Sequence, residues 1–146
     1  MGTFTAPGGL GVALDATAGQ LYIADTGHST IQRLDLSTQV LTTIAGSSGL
    51  AGHVDAVGVS ARFVQPSGLA LDGRGHLYVT DPGDSTVRRM DLATGAVVTW
   101  VGQPGAAGVQ PGPLPARLNK PYGIAVAPTG QVLVADQAEN AILIIE

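Results

Sequence analysis

One segment of this chain occurs three times. Leu21-Tyr22-Ile23-Ala24-Asp25 returns as Leu77-Tyr78-Val79-Thr80-Asp81 and again as Val132-Leu133-Val134-Ala135-Asp136, at steps of 56 and 55 residues. Laid over 77–102 without a gap, 21–46 shows 12 identities in 26 positions. A period of this size marks an array of supersecondary units, none of which hides its apolar surface alone. Upstream of these segments, Ala61-Arg62-Phe63 with Pro66-x-Gly68-Leu69-Ala70 reappears as Ala116-Arg117-Leu118 with Pro121-x-Gly123-Ile124-Ala125. A first copy reads Phe4-x-x-Pro7-x-Gly9-Leu10.

Each copy splits into four short apolar runs, clearest in the second: 68–72, 76–81, 85–91 and 96–101. All are rich in Val, Leu and Thr and too short for a helix of about 10–12 residues. Gly73-Arg74-Gly75, Pro82-Gly83-Asp84 and Thr94-Gly95 separate them, which is turn chemistry. Four such runs predict an antiparallel meander, and stacked meanders predict a β-propeller segment, all-β, with four-stranded blades. The third copy stops after its third run, so the expectation is two complete blades plus a three-stranded third. The whole of 1–146 reads as one such segment, with blades at about 7–46, 66–102 and 121–146. Long Gly-rich loops at 47–60 and 103–115, the second also rich in Pro, join them.

The pieces Ala61-Arg62-Phe63, Pro66, Gly68-Leu69-Ala70-Leu71-Asp72, Leu77-Tyr78-Val79-Thr80-Asp81, Val87-Arg88-Arg89-Met90-Asp91 and Gly102 together resemble the NHL repeat. The third copy departs from that pattern at Ala127, where Asp is expected, and at Leu143-Ile144, where a basic pair is expected. The resemblance implies a ring of six blades, of which this chain holds about half. It also implies a choice between a binding or assembly module and a piece of a propeller enzyme. In a lyase- or lactonase-like enzyme the metal and catalytic residues would lie in other blades.

Composition narrows the chemistry. Seven Lys plus Arg against eleven Asp plus Glu give a net charge of −4, with a single lysine, so no basic stripe exists to displace counterions from nucleic acid. The absence of cysteine removes disulfides, thiolate nucleophiles and zinc-thiolate sites together. No basic segment with a long apolar run opens the chain, and no apolar stretch nears the ~18 residues of a membrane span. The chain reads as soluble and without a membrane partner, with its compartment unassigned.

Candidate site residues are few. The recurring Asp25, Asp81 and Asp136 lie one per blade, too dispersed to converge on a cation, and are expected to accept hydrogen bonds inside their own turns. His28, His53 and His76 do not recur in register and fall in turns or loops. No nucleophile–base–acid order or metal-ligand spacing can be assembled from them, and neither catalytic nor cofactor residues are assigned. The inner strands carry small apolar side chains, which is packing material near an axis.

Interface candidates remain. Arg62 and Arg117 precede an inner strand, and Trp100 replaces Ile44 on the fourth strand. His28 and His53 sit in a turn and a loop, Phe4 in the lead-in, and Ile142 and Ile144 on a final strand apolar on both faces. The two long loops are the natural contact surface for a protein partner. The open ends point either to self-association as a homodimer or to the remaining blades of a longer chain. On balance the reading leans away from an enzyme.

Overall fold

The computed structural model describes residues 11–108 and 117–146. They form three antiparallel sheets following one another along the chain, the layout of a partial β-propeller. The first blade is β1 (Val12–Asp15), β2 (Gln20–Asp25), β3 (Thr30–Asp35) and β4 (Leu41–Gly46), in that spatial order. The second contains β6 (Leu69–Leu71), β7 (His76–Asp81), β8 (Thr86–Asp91) and β9 (Ala96–Gly102). The third is β10 (Pro121–Val126), β11 (Val132–Asp136) and β12 (Ala141–Ile145).

The second blade gains a strand that the repeat does not announce. Within the connection 47–60, β5 (Ala56–Val57) pairs with β9, Ala56 opposite Val97 and Val57 opposite Ala96, and gives a five-stranded sheet. A 3₁₀ turn, Gly58–Ser60, follows it. This connection is therefore not a free loop but the cover of the next blade's outer edge.

Strand pairing also corrects the register of the first copy. Val12 faces Ile23 as Leu69 faces Val79 and Ile124 faces Val134, so Gly11 is the counterpart of Gly68 and Gly123, not Gly9. Phe4 and Pro7 lie outside the described residues.

Hairpins are closed by aspartates at the ends of the first and third strands. The Asp15 carboxylate accepts from the N–H groups of Thr17 and Ala18, Asp35 from Ser37 and Thr38, Asp72 from Arg74 and His76, and Asp91 from Ala93 and Thr94. A short carboxylate aimed at N–H groups two to four residues ahead substitutes for backbone turn bonds. Bonding favours the charged form and holds Asp35 and Asp91 below the ordinary carboxylate value. At Asp72 burial pushes upward, but the N–H groups of His76 and Arg74 leave the net shift downward.

Two apolar clusters lie between the blades rather than within any one of them. The first joins Tyr22, Ala24, Ile31 and Ala45 of blade 1 to Phe63, Leu69, Leu77 and Val79. The second joins Tyr78, Val87 and Val101 of blade 2 to Leu118, Val132 and Val134. Phe63 and Leu118, fully buried, are the wedges of the two junctions.

Candidate functional site

The recurring second-strand aspartates are structural in a way that turn chemistry alone does not suggest. The Asp81 carbonyl accepts from Asp84 N–H in its own turn, but the described partners of its carboxylate lie elsewhere. Its two oxygens take the N–H groups of Val64 (2.8 Å) and Gln65 (2.7 Å), in the segment that leads into the same blade. Asp136 repeats this with Asn119 (2.7 Å) and Lys120 (3.0 Å). Burial drives the Asp81 carboxyl upward and the nearby Asp84 charge adds to that, while the two N–H groups oppose it. At Asp25 the described partners are His28 Nδ1 and Gln32 Nε2, each at 2.9 Å.

Each histidine lies against an aspartate: His28 on Asp25, His53 on Asp84, and His76 on Asp72 at 2.7 Å. They are dispersed over two blades. His53 is the most elaborated. Its Nδ1 meets Asp84 and its Nε2 lies 3.0 Å from Thr99 Oγ1, an order of acid, imidazole and hydroxyl. Thr99 also donates its hydroxyl (2.9 Å) and its N–H (3.0 Å) to Asp55. The one Thr99 hydroxyl is thus shared between His53 Nε2 and Asp55 Oδ1 and ties the two together. The group is a staple holding the connection 47–60 to blade 2.

Arg88 anchors the same staple. It is fully buried and donates to Arg62 O (2.9 Å), Val54 O (3.0 Å) and Asp55 Oδ1 (2.5 Å), with its guanidinium 5.3 Å from the Phe63 ring centre. Arg is suited to this, because a planar fork can serve several acceptors and stack on a ring at once. Burial pushes the Asp55 carboxyl up, but Thr99 and Arg88 outweigh it and leave the net shift downward.

The remaining candidates are placed as follows. Arg62 turns its guanidinium onto the carbonyls of Val59 (2.6 Å) and Ala61 (2.7 Å), and Arg117 donates to Gln103 at 3.0 Å. Trp100 packs edge to face on Tyr78, centroids 4.8 Å apart at 62°. Ile142 and Ile144 stand 65% and 62% exposed on the free face of blade 3. There Tyr122, Ala135, Asp136, Asn140 and Ile142 border a cavity of about 500 Å³. On the opposite end face, Val12 and Leu14 are 57% and 56% exposed. Among the described residues no three His, Asp or Glu are grouped to hold a metal, and no helix is long and apolar enough to cross a membrane.

Sequence reasoning missed Asp55, which has no counterpart in the repeat, Thr99, which recurs as Thr43, and Ser29, Ser85 and Asn140. These last three occupy one left-handed position in successive blades, at φ 57°, 58° and 49°. The serine hydroxyls donate across the blade junctions, Ser29 to Val64 O (3.3 Å) and Ser85 to Asn119 O (2.7 Å).

No family model matches the chain. The Arabidopsis thaliana protein Suppressor of Quenching 1, chloroplastic, is 32% identical over 99% of the chain, which covers 14% of that protein. NHL repeat-containing protein 2 of Bos taurus is 32% identical over 60% of the chain and 12% of its own length. A Caenorhabditis elegans protein named as a peptidyl-alpha-hydroxyglycine alpha-amidating lyase is 34% identical over 75% of the chain and 29% of its own length. The chain thus spans under a third of these relatives. Among solved structures, an auxiliary nutrient binding protein from Bacteroides thetaiotaomicron superposes with a TM-score of 0.78 at 24% identity, over 91% of this chain and 36% of that one. With the repeat, the interlocked meanders and relatives that carry the name, the chain belongs to the NHL-repeat family and forms part of a β-propeller.

Proposed function

We propose that the chain is a non-catalytic propeller module for protein interaction or assembly, which closes a six-bladed ring by association. The observation that carries this reading is the chemistry of its two end faces. Val12 and Leu14 occupy the places of the buried Leu69 and half-buried Leu71, and Ile142 occupies the place of Ile31 and Val87, which the inner junctions bury. Contiguous apolar faces of this kind mark contact surfaces. The histidines and the buried arginine are engaged in holding the scaffold, which supports a role in binding rather than turnover.

Light scattering at micromolar concentration tests the proposal. The expected mass is twice the 14.7 kDa of one chain. A stable monomer overturns it. The other reading, a piece of a propeller enzyme with its ligands in further blades, is favoured by the amidating-lyase relative.

A further inference from the structure

We propose that the junction between blades 1 and 2 is a binding site for one buried water molecule, which bridges Thr86 Oγ1 and Arg88 Nε as a fixed part of the staple. The site does not depend on how the ring is closed.

Two atoms on one face of β8 carry the inference. Thr86 and Arg88 are both fully buried, yet Thr86 Oγ1 and Arg88 Nε have no hydrogen-bond partner in the protein. Two residues apart on a strand, they stand on the same face of the sheet. It is the face on which Arg88 lies against Phe63. A buried donor or acceptor without a bond is costly, and native structures serve nearly all of them with protein atoms or ordered water.

The neighbouring protein atoms are already committed. Arg88 spends Nη1 on Arg62 O, and Nη2 on Val54 O and Asp55, which fixes the guanidinium plane and with it the direction of Nε–H. Thr86 stands opposite Asp81 on β7 and Gly102 on β9. Gly102 offers no side chain, and the two Asp81 oxygens hold the N–H groups of Val64 and Gln65. The adjacent hydroxyl, on Ser85, turns to Asn119 O at the other junction.

The repeat supplies an internal comparison. At the second junction the same two places are Ala141, opposite Asp136, and Leu143, opposite Val134. Hydroxyl and guanidinium are replaced together, and Leu143 packs into the apolar cluster. In blade 1 the counterpart Thr30 is likewise buried with its hydroxyl unpartnered, while Gln32, in the place of Arg88, donates to Asp25. The orphaned guanidinium nitrogen is thus peculiar to blade 2 among the three.

Chemistry selects water as the occupant. Arg Nε only donates, whereas a hydroxyl both donates and accepts. An anion would accept from both but would sit near the carboxylates of Asp55, Asp81 and Asp84, and a cation would face the guanidinium. A water accepts from Nε–H and donates to Thr86 Oγ1. Its second O–H has the Asp81 carboxylate as an acceptor, within the two to four partners that a buried water takes.

A crystal structure of the chain at a resolution that shows ordered water tests this. The expected result is a water about 2.7–3.2 Å from both Thr86 Oγ1 and Arg88 Nε. No peak there, or side chains turned to bond protein atoms directly, overturns the proposal. An anomalous peak at the same place in a bromide-soaked crystal overturns it in favour of an anion. In solution, a water-selective NOE to Arg88 Hε is expected from the wild type and lost in Thr86→Val, and its absence from the wild type counts against the site. Thr86→Val keeps the shape and removes the hydroxyl, so it should lower Tm by about 2–4 °C. An unchanged or higher Tm, the result for a hydroxyl with nothing to bond, overturns the bridge. Should Thr86→Val fail to fold, the wild-type crystal and NOE decide alone.

Discussion

The two inner junctions share a backbone and differ in what fills it. Both use an aspartate on the second strand to clamp the incoming segment, a left-handed serine to catch its carbonyl, and a glycine on the inner strand to admit it. At the first junction the filling is Phe63 with the buried guanidinium of Arg88 beside its ring, and the connection 47–60 folds back as a fifth strand. At the second the filling is Leu118, flanked by Leu143 in the place of Arg88 and by Trp100 on Tyr78. The hydrogen bonds that set the blade-to-blade geometry are therefore generic, while the apolar and charged contents are local solutions to the same gap. A buried guanidinium needs acceptors, and Arg88 has Asp55 and two aimed carbonyls on its terminal nitrogens, while its Nε is left without one.

The largest effect should come from removing a wedge. Phe63→Ala is expected to destabilise by about 3–5 kcal/mol through the cavity left between blades. Phe63→Leu should cost well under half of that if the junctions are interchangeable, since Leu118 already fills the corresponding place. Urea melts of the two variants decide it, and equal losses would break the equivalence. Next comes the polar filling. Arg88→Leu copies the third blade, but leaves Arg62 O, Val54 O and Asp55 without their donor, at about 2–4 kcal/mol for a buried charge-assisted group. The pH dependence of the Asp55 partner sharpens the point. Asp55 lies below its ordinary value of 3.8 in the folded chain, so its contribution is present above 3.8 and is lost as pH falls through the lower folded value. The gap between wild type and Asp55→Asn should therefore shrink below about pH 4, and a constant gap would detach Asp55 from the staple. The smallest effect separates the two serines. Ser85→Ala, losing a 2.7 Å bond, should cost about 1 kcal/mol, and Ser29→Ala, losing a 3.3 Å bond, less. The reverse order in thermal melts would show that distance does not rank these junction bonds.

The meanders were legible in the sequence because alternation and turn residues are local signals repeated three times. Hairpin aspartates belong to the same class, although it is Asp15, Asp35, Asp72 and Asp91 that cap turns while Asp25 and Asp81 do not. The clamp on Asp81 was hidden because its donors, Val64 and Gln65, lie upstream in another segment whose direction is set only once the blades stack. The staple of His53, Asp55, Thr99 and Arg88 was hidden for a different reason. Two of its members, His53 and Asp55, lie in the connection with the weakest pattern, outside the repeated strands, so no periodicity marks it. Of the interface candidates, Ile142 and Ile144 followed from a strand apolar on both faces. The engaged guanidiniums of Arg62 and Arg117 depend on where carbonyls point, and a residue string does not carry that.

The clamps have a consequence for how the chain comes to be folded. Each closes a span of 16 or 17 residues, and the serine and threonine bonds between blades span 34 to 42. Among the described residues, the staple reaches furthest, 46 residues from His53 to Thr99. No blade has to wait for a distant partner, so the loops to be closed stay short and their entropic cost grows little along the chain. Blades can set one after another as they leave the ribosome, each using the face finished just before it. The one contact that cannot form in this order is the last face on a first face.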